Sequence, residues 1–222
     1  MRILIIGAGG HAQVVADILL RTLDQGGKLE PIGYLDDNPA LIGQSRLGLP
    51  IVGTISQLSQ INHDAVIIAI GHNAMRARLY TQFQHQGECF AIACHPRAIV
   101  APDVTLGPGS VICAGVVVNP GSVIGQNVIL NTSCSVDHHN RIDDHAHIAP
   151  GVHLGGDVPI GEGALIGISA TVMPQRCVGA WSTVGAGALV HKDIASQMTA
   201  IGVPARILHQ PDSVLLRQQM KV

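Results

Sequence analysis

Large rings are almost missing from this sequence: 222 residues include one tryptophan, two tyrosines and two phenylalanines, although 47% are hydrophobic. A core must therefore be assembled from Val, Ile, Leu and Ala in many small layers. Charge is scarce as well, at 13% of residues with a formal net charge of -2, and Lys and Arg form no run. That excludes the basic footprint of a nucleic-acid or anionic-membrane binder and leaves a small polar metabolite as the expected partner. Ile3 to Ile6 is far too short for a signal segment, and polar residues interrupt every longer apolar stretch, so neither export nor membrane spanning is expected. The five cysteines, Cys89, Cys94, Cys113, Cys134 and Cys177, contain no C-x-x-C pair and read as reduced thiols of a cytoplasmic protein.

Turn formers are abundant instead, with 26 Gly and 12 Pro spread among aliphatic positions. From Ile99 the chain divides into sixes without a slip: IVAPDV, TLGPGS, VICAGV, VVNPGS, VIGQNV, and on to LVHKDI. The second position of each unit, from Val100 through Leu106, Ile112 and Val118 to Val190, is aliphatic in all sixteen cases. Neither a 3.6-residue period nor plain alternation produces a strict six, so each unit reads as a short strand and a turn, three units to a coil. Stacked coils then form a prism lined by aliphatic ladders.

Ahead of the repeat, Arg2 to Ile6 is a strand-like run followed by Gly7-Ala8-Gly9-Gly10-His11-Ala12 and a helix-like stretch from Gln13 to Arg21. Gly7, Gly9 and Ala12 fit G-x-G-x-x-A, in which small residues let a turn present backbone N–H groups to a phosphate. Pro31 to Leu35 leads to Asp36 and Asp37, and Ala65 to Ile70 leads to Gly71, His72 and Asn73, again a strand ending in polar residues. The two aspartates read equally as a solvated turn or a ligand contact. About 95 residues suit a mononucleotide-sized sheet better than a full dinucleotide domain. His95-Pro96 is the expected link, giving domains 1–95 and 96–208 and a tail 209–222.

The hexapeptides, with the Ile201-Gly202-Val203-Pro204-Ala205-Arg206 segment, resemble the left-handed β-helix acyltransferases. GAGGHA, LDDN, AIGHN and VDHH narrow the resemblance to the bacterial NeuD/PglD-type sugar acetyltransferases over nearly the whole chain. The resemblance implies a Rossmann-like α/β domain and a left-handed parallel β-helix, assembled as a cytoplasmic homotrimer with acetyl-CoA between neighbouring prisms. It implies N-acetylation of a UDP-linked 4-amino-4,6-dideoxysugar for surface-glycan or glycoprotein sugar biosynthesis. By the same resemblance His138 is the base and Gly156, one coil further, offers a backbone N–H to the thioester oxygen. His147, Ile168 and Ala186 match CoA contacts, and Gly9, Gly10, His11, Asp36, Asp37 and Gly71 match sugar-nucleotide contacts; Asn73 is added to the second set, and Arg206 is assigned to a CoA phosphate because a guanidinium forks onto phosphate oxygens.

One departure stands out: family members carry a carboxylate after the catalytic histidine, and here that position is His139. Asp137 is the nearest alternative, on a strand neighbour that ordinarily faces the other way. His139, His145 and His153 read as solvated faces or corners. Two alternatives stay open: a sialic acid O-acetyltransferase, because nothing in the sequence shows which acceptor fits, and a non-catalytic sugar-nucleotide-binding scaffold. A zinc site like that of β-helix carbonic anhydrases is not expected, because Pro102, Asp103 and Gly109 stand where its third histidine would be.

Overall fold

The computed structural model describes residues 1–208; the tail expected over 209–222 lies outside the described residues. The chain opens with β1 (Arg2–Ile6), α1 (Gly10–Asp24), β2 (Glu30–Leu35), β3 (Ser45–Arg46), β4 (Leu49–Gly53), β5 (Ala65–Ile68) and α2 (Asn73–His85). Strands β4, β2, β1 and β5 lie side by side and parallel, with β3 antiparallel on the β4 edge. The aliphatic run of β1 is buried on both sides of the sheet, as a central parallel strand requires. Ile3 and Ile5 join Ala12, Val15, Ala16 and Leu19 of α1, while Leu4 and Ile6 join Leu79, Tyr80 and Phe83 of α2.

A parallel β-helix follows. Its strands are two residues long and recur every six, and each pairs with the strand one coil on, as in Ser135↔His153 and His147↔Leu165. The first face contains Ser135–Val136 and His153–Leu154, the second Arg141–Ile142 and Pro159–Ile160, and the third Ile129–Leu130 and His147–Ile148. From Ile112 to Val190 the second positions are all buried; Val100 and Leu106, in the first coil with no coil beneath them, are half-buried. Ala93–Cys94 already pairs with Val111–Ile112, so ladder pairing starts just ahead of the 95/96 boundary expected from the Pro. At the far end Thr199–Ile201 and Arg206–Ile207 close the third face as an antiparallel pair.

From Gly109 to Gly187 each turn places one residue in the left-handed region. Gly109, Gly115, Gly121, Gly151, Gly163 and Gly187 occupy it where the residue is glycine, but His139 (φ +57°), His145 (φ +61°) and Asp157 (φ +62°) occupy it elsewhere. The α/β unit sits on the third face: α2 runs along its edge with the second face, through Arg76, Asn73 and Tyr80, and α1 lies toward its edge with the first. Among the described residues no helix is long and apolar enough to cross a membrane.

Candidate functional site

The C-terminal ends of β1, β2 and β5 open into a cleft of about 490 Å³. It is lined by Gly7, Gly9, Gly10, His11, Asp36, Asp37 and Gly71, and also by Ile55, Met75 and Arg78. This is where the strand order reverses around β1, the place at which parallel sheets bind ligands. The N-terminus of α1 faces it with Gly9 as cap and no side-chain capping bond, leaving N–H groups for an anion. The two aspartates do different things. Asp36 is committed to the fold: its carboxylate accepts from Ala8 N at 2.7 Å and Asn38 N at 2.8 Å, which pins the glycine turn. Asp37 accepts through Oδ1 from Ile55 N at 2.9 Å, and its Oδ2 has no hydrogen bond among the described residues.

Beneath the cleft, the rings of His11 and His147 stand 6.4 Å apart, one from each domain. Burial, helped by the charge of Arg76, pushes His11 down to about 4 and His147 to about 3. Both rings are therefore neutral near pH 7, and the Nε2 of His11 is buried with no hydrogen-bond partner among the described residues. Asn131 Nδ2 lies 3.1 Å from the Nε2 of His147. An unfolded histidine takes its proton near 6.5 while these two do not, so stability is full above that value and is lost as the pH falls toward 4. The thermal unfolding midpoint is expected to fall over this window, with roughly 3 kcal/mol at stake per ring, and His147→Gln is expected to flatten the decline. A midpoint equally flat in wild type and variant would contradict it.

His138 lies elsewhere. It occupies the corner between the first and second faces, which in a triangular section is opposite the third face and the cleft. Its exposed ring lies on Gly156 of the next coil: a Cβ there would come within 2.5 Å of the ring Cε1 and 2.6 Å of Nε2. The N–H of Gly156 has no hydrogen-bond partner among the described residues. Ile168 and Ala186 are exposed on the other edge of the first face, the one shared with the third. Arg206 is exposed at the C-terminal end, lining a separate cavity with His191 and Lys192.

Within one chain, then, the cleft, His11 and His147 are together, with Ile168 and Ala186 along the adjoining edge. His138 and Gly156 are apart from them. Asn73 does not line the cleft; its Nδ2 donates to the Gly163 and Ala164 carbonyls, and its Oδ1 accepts from Arg76. One sequence expectation is corrected. His145 is buried, not solvated, since α2 covers its corner: its Nδ1 is 2.8 Å from Asn127 Nδ2 and the Tyr80 ring meets its edge. His139 is exposed at its corner as expected, and its Nδ1 is 3.0 Å from that of His138. His153 is exposed as expected.

Arg76 had no sequence signal beyond its place on a helix. It is 1% exposed and donates to the carbonyls of Ile70, Gly71, Asn127, His145 and Ala146, tying the cleft loop to the prism with no carboxylate partner among the described residues. Arg78, a cation in the cleft lining, was likewise unmarked.

Comparison with known proteins gives the same outline. Residues 2–83 match the family model of the PglD N-terminal domain. The chain is similar to a histidine-to-alanine variant of GDP-perosamine N-acetyltransferase from Caulobacter crescentus in complex with CoA and GDP-perosamine, at 36% identity and a TM-score of 0.87, covering 95% of this chain and 98% of that one. It is similar to the acetyltransferase domain of PglB from Neisseria gonorrhoeae in complex with acetyl coenzyme A, at 38% identity and a TM-score of 0.86, covering 93% and 98%. WeeI from Acinetobacter baumannii follows at 26% and 0.83, covering 94% and 100%. An uncharacterised protein of Acanthamoeba polyphaga mimivirus is 34% identical over 107 residues; that stretch spans 48% of this chain and 20% of the viral protein.

Proposed function

The chain belongs to the NeuD/PglD-type family of bacterial sugar acetyltransferases, and on that premise we propose that it transfers the acetyl group of acetyl-CoA to the amine of a UDP-linked 4-amino-4,6-dideoxysugar. The nucleotide lies in the cleft, its phosphates toward Gly9 and Gly10 at the start of α1 and Asp37 toward a hydroxyl or ring N–H. The pantetheine arm runs along Ile168 and Ala186 to His147, with Arg206 toward a CoA phosphate.

The observation that carries the chemistry is the contact of the His138 imidazole with a glycine whose N–H is unpartnered. As the neutral amine attacks the thioester carbon, the Nε2 of His138 takes the amine proton and the N–H of Gly156 donates to the developing oxyanion. Collapse breaks the C–S bond, and the imidazolium returns its proton to the departing CoA thiolate. The opposed positions of His138 and the cleft make a single chain insufficient, so the site is completed between protomers of a trimer: one supplies the cleft and its neighbour the imidazole. The five cysteines form no disulfide, which favours a reducing compartment such as the cytoplasm.

The test is release of CoA thiol from acetyl-CoA in the presence of UDP- and GDP-linked 4-amino-4,6-dideoxysugars, with free sialic acid as control. Turnover with a UDP sugar is expected. GDP is the second reading, favoured by the Caulobacter enzyme that acts on GDP-perosamine. Turnover with sialic acid alone would overturn both.

A further inference from the structure

We propose that the imidazole of His139 positions that of His138 and keeps it in the tautomer a base requires. The inference rests on His138 being the base. Nitrogens 3.0 Å apart can share only one proton, so one ring donates its Nδ1–H and the other accepts on a bare Nδ1. With His138 as donor, its Nε2 is bare and able to take a proton, and His139 carries its own proton on Nε2. When His138 is protonated at Nε2, the Nδ1–H bond to His139 becomes charge-assisted and strengthens. The contact is therefore worth most while the proton is on His138, which is when it lowers the barrier.

The surroundings are shaped for two rings. His139 takes the left-handed turn position at φ +57°, and the rings meet edge to face at 78°. Each ring has a glycine on the neighbouring coil. A Cβ at Gly121, one coil below, would come within 2.7 Å of the Cδ2 of His139, as one at Gly156, above, would meet His138. The charged groups at this corner are Asp137 in the same coil, Asp103 two coils below, Asp157 one above and Arg176 two above. None bonds to either ring among the described residues. Asp137 accepts from the Asn119 amide and the His138 backbone N–H, and Asp103 from the Gly121 backbone N–H.

The experiment compares wild type with His138→Ala, His139→Ala and His139→Glu, measuring kcat, KM and kcat/KM against pH, with unfolding midpoints. His139→Ala is expected to lower kcat by about 10- to 100-fold with KM for acetyl-CoA unchanged. His139→Glu is expected to recover kcat and move the acidic limb of kcat/KM to higher pH, because a carboxylate raises the pKa of an adjacent imidazole. If His139→Ala does not fold, His139→Asn, tolerant of the left-handed turn, replaces it in the comparison. An inactive His138→Ala beside a His139 variant with wild-type kcat and an unmoved acidic limb would overturn this inference alone. An active His138→Ala would overturn the base assignment, and this inference with it.

Discussion

His138→Ala is expected to lower kcat by about 10³-fold, with KM for acetyl-CoA and the unfolding midpoint unchanged. The separation of these effects follows from where the residue sits. Its ring is exposed at a corner, outside the aliphatic ladder that Val136 and Leu154 contribute to, so removing it opens no cavity. Among the described residues its one side-chain hydrogen bond is to His139. What is lost is the proposed proton acceptor beside Gly156. Gly156→Ala offers a second approach to the same place, since the new Cβ would displace the imidazole while leaving its chemistry intact. Pre-steady-state measurement of the acetyl-transfer step is the direct check. A wild-type rate in His138→Ala would place the base elsewhere.

Arg76→Met is expected to destabilise the fold by about 3 kcal/mol and to weaken nucleotide-sugar binding. Two terms oppose each other. Burying a guanidinium is costly, enough to bring Arg76 down to about 9, and methionine removes that cost. It also strips donors from the carbonyls of Ile70, Asn127 and His145 and from Asn73 Oδ1, each of which costs about 1–3 kcal/mol when left dry, while Ala146 keeps the Ile129 N–H. The second sum is larger. Because Ile70 and Gly71 line the cleft, their release is expected to raise the Kd for the nucleotide sugar as well as lower the midpoint. Denaturant unfolding and calorimetry together test it; a variant as stable and as tight-binding as wild type would show that the carbonyls are satisfied without Arg76.

How far the sequence alone could be read depended on whether a feature repeats. The β-helix was legible because each layer restates the same six-residue rule, and one slipped register would have put Ile148 or Val172 outside. The cleft was legible for a related reason: Gly7 to His11, Asp36, Asp37 and Gly71 each follow a recognisable strand, and parallel strands end on the same side. The left-handed winding rested on family resemblance. What stayed hidden was side-chain direction. Asp36 and Asp37 are indistinguishable as letters, yet one holds a glycine turn and the other faces the cleft. His139 and His145 occupy the same turn position of the repeat, but α2 covers only the second, so one is buried and the other pairs with His138. Arg76 became visible only when two domains supplied the carbonyls around it.

A site shared between chains can be tested by mixing two inactive proteins. His138→Ala chains keep an open cleft. Gly9→Trp chains keep the imidazole but fill the cleft, because Gly9 has ordinary backbone angles and open space where a side chain would go. In the proposed trimer, co-expression in equal amounts makes three-quarters of random assemblies mixed, each with one complete site in three, so about a quarter of wild-type activity is expected from parents that have none. A purified mixed trimer no more active than either parent would contradict a site built by two chains.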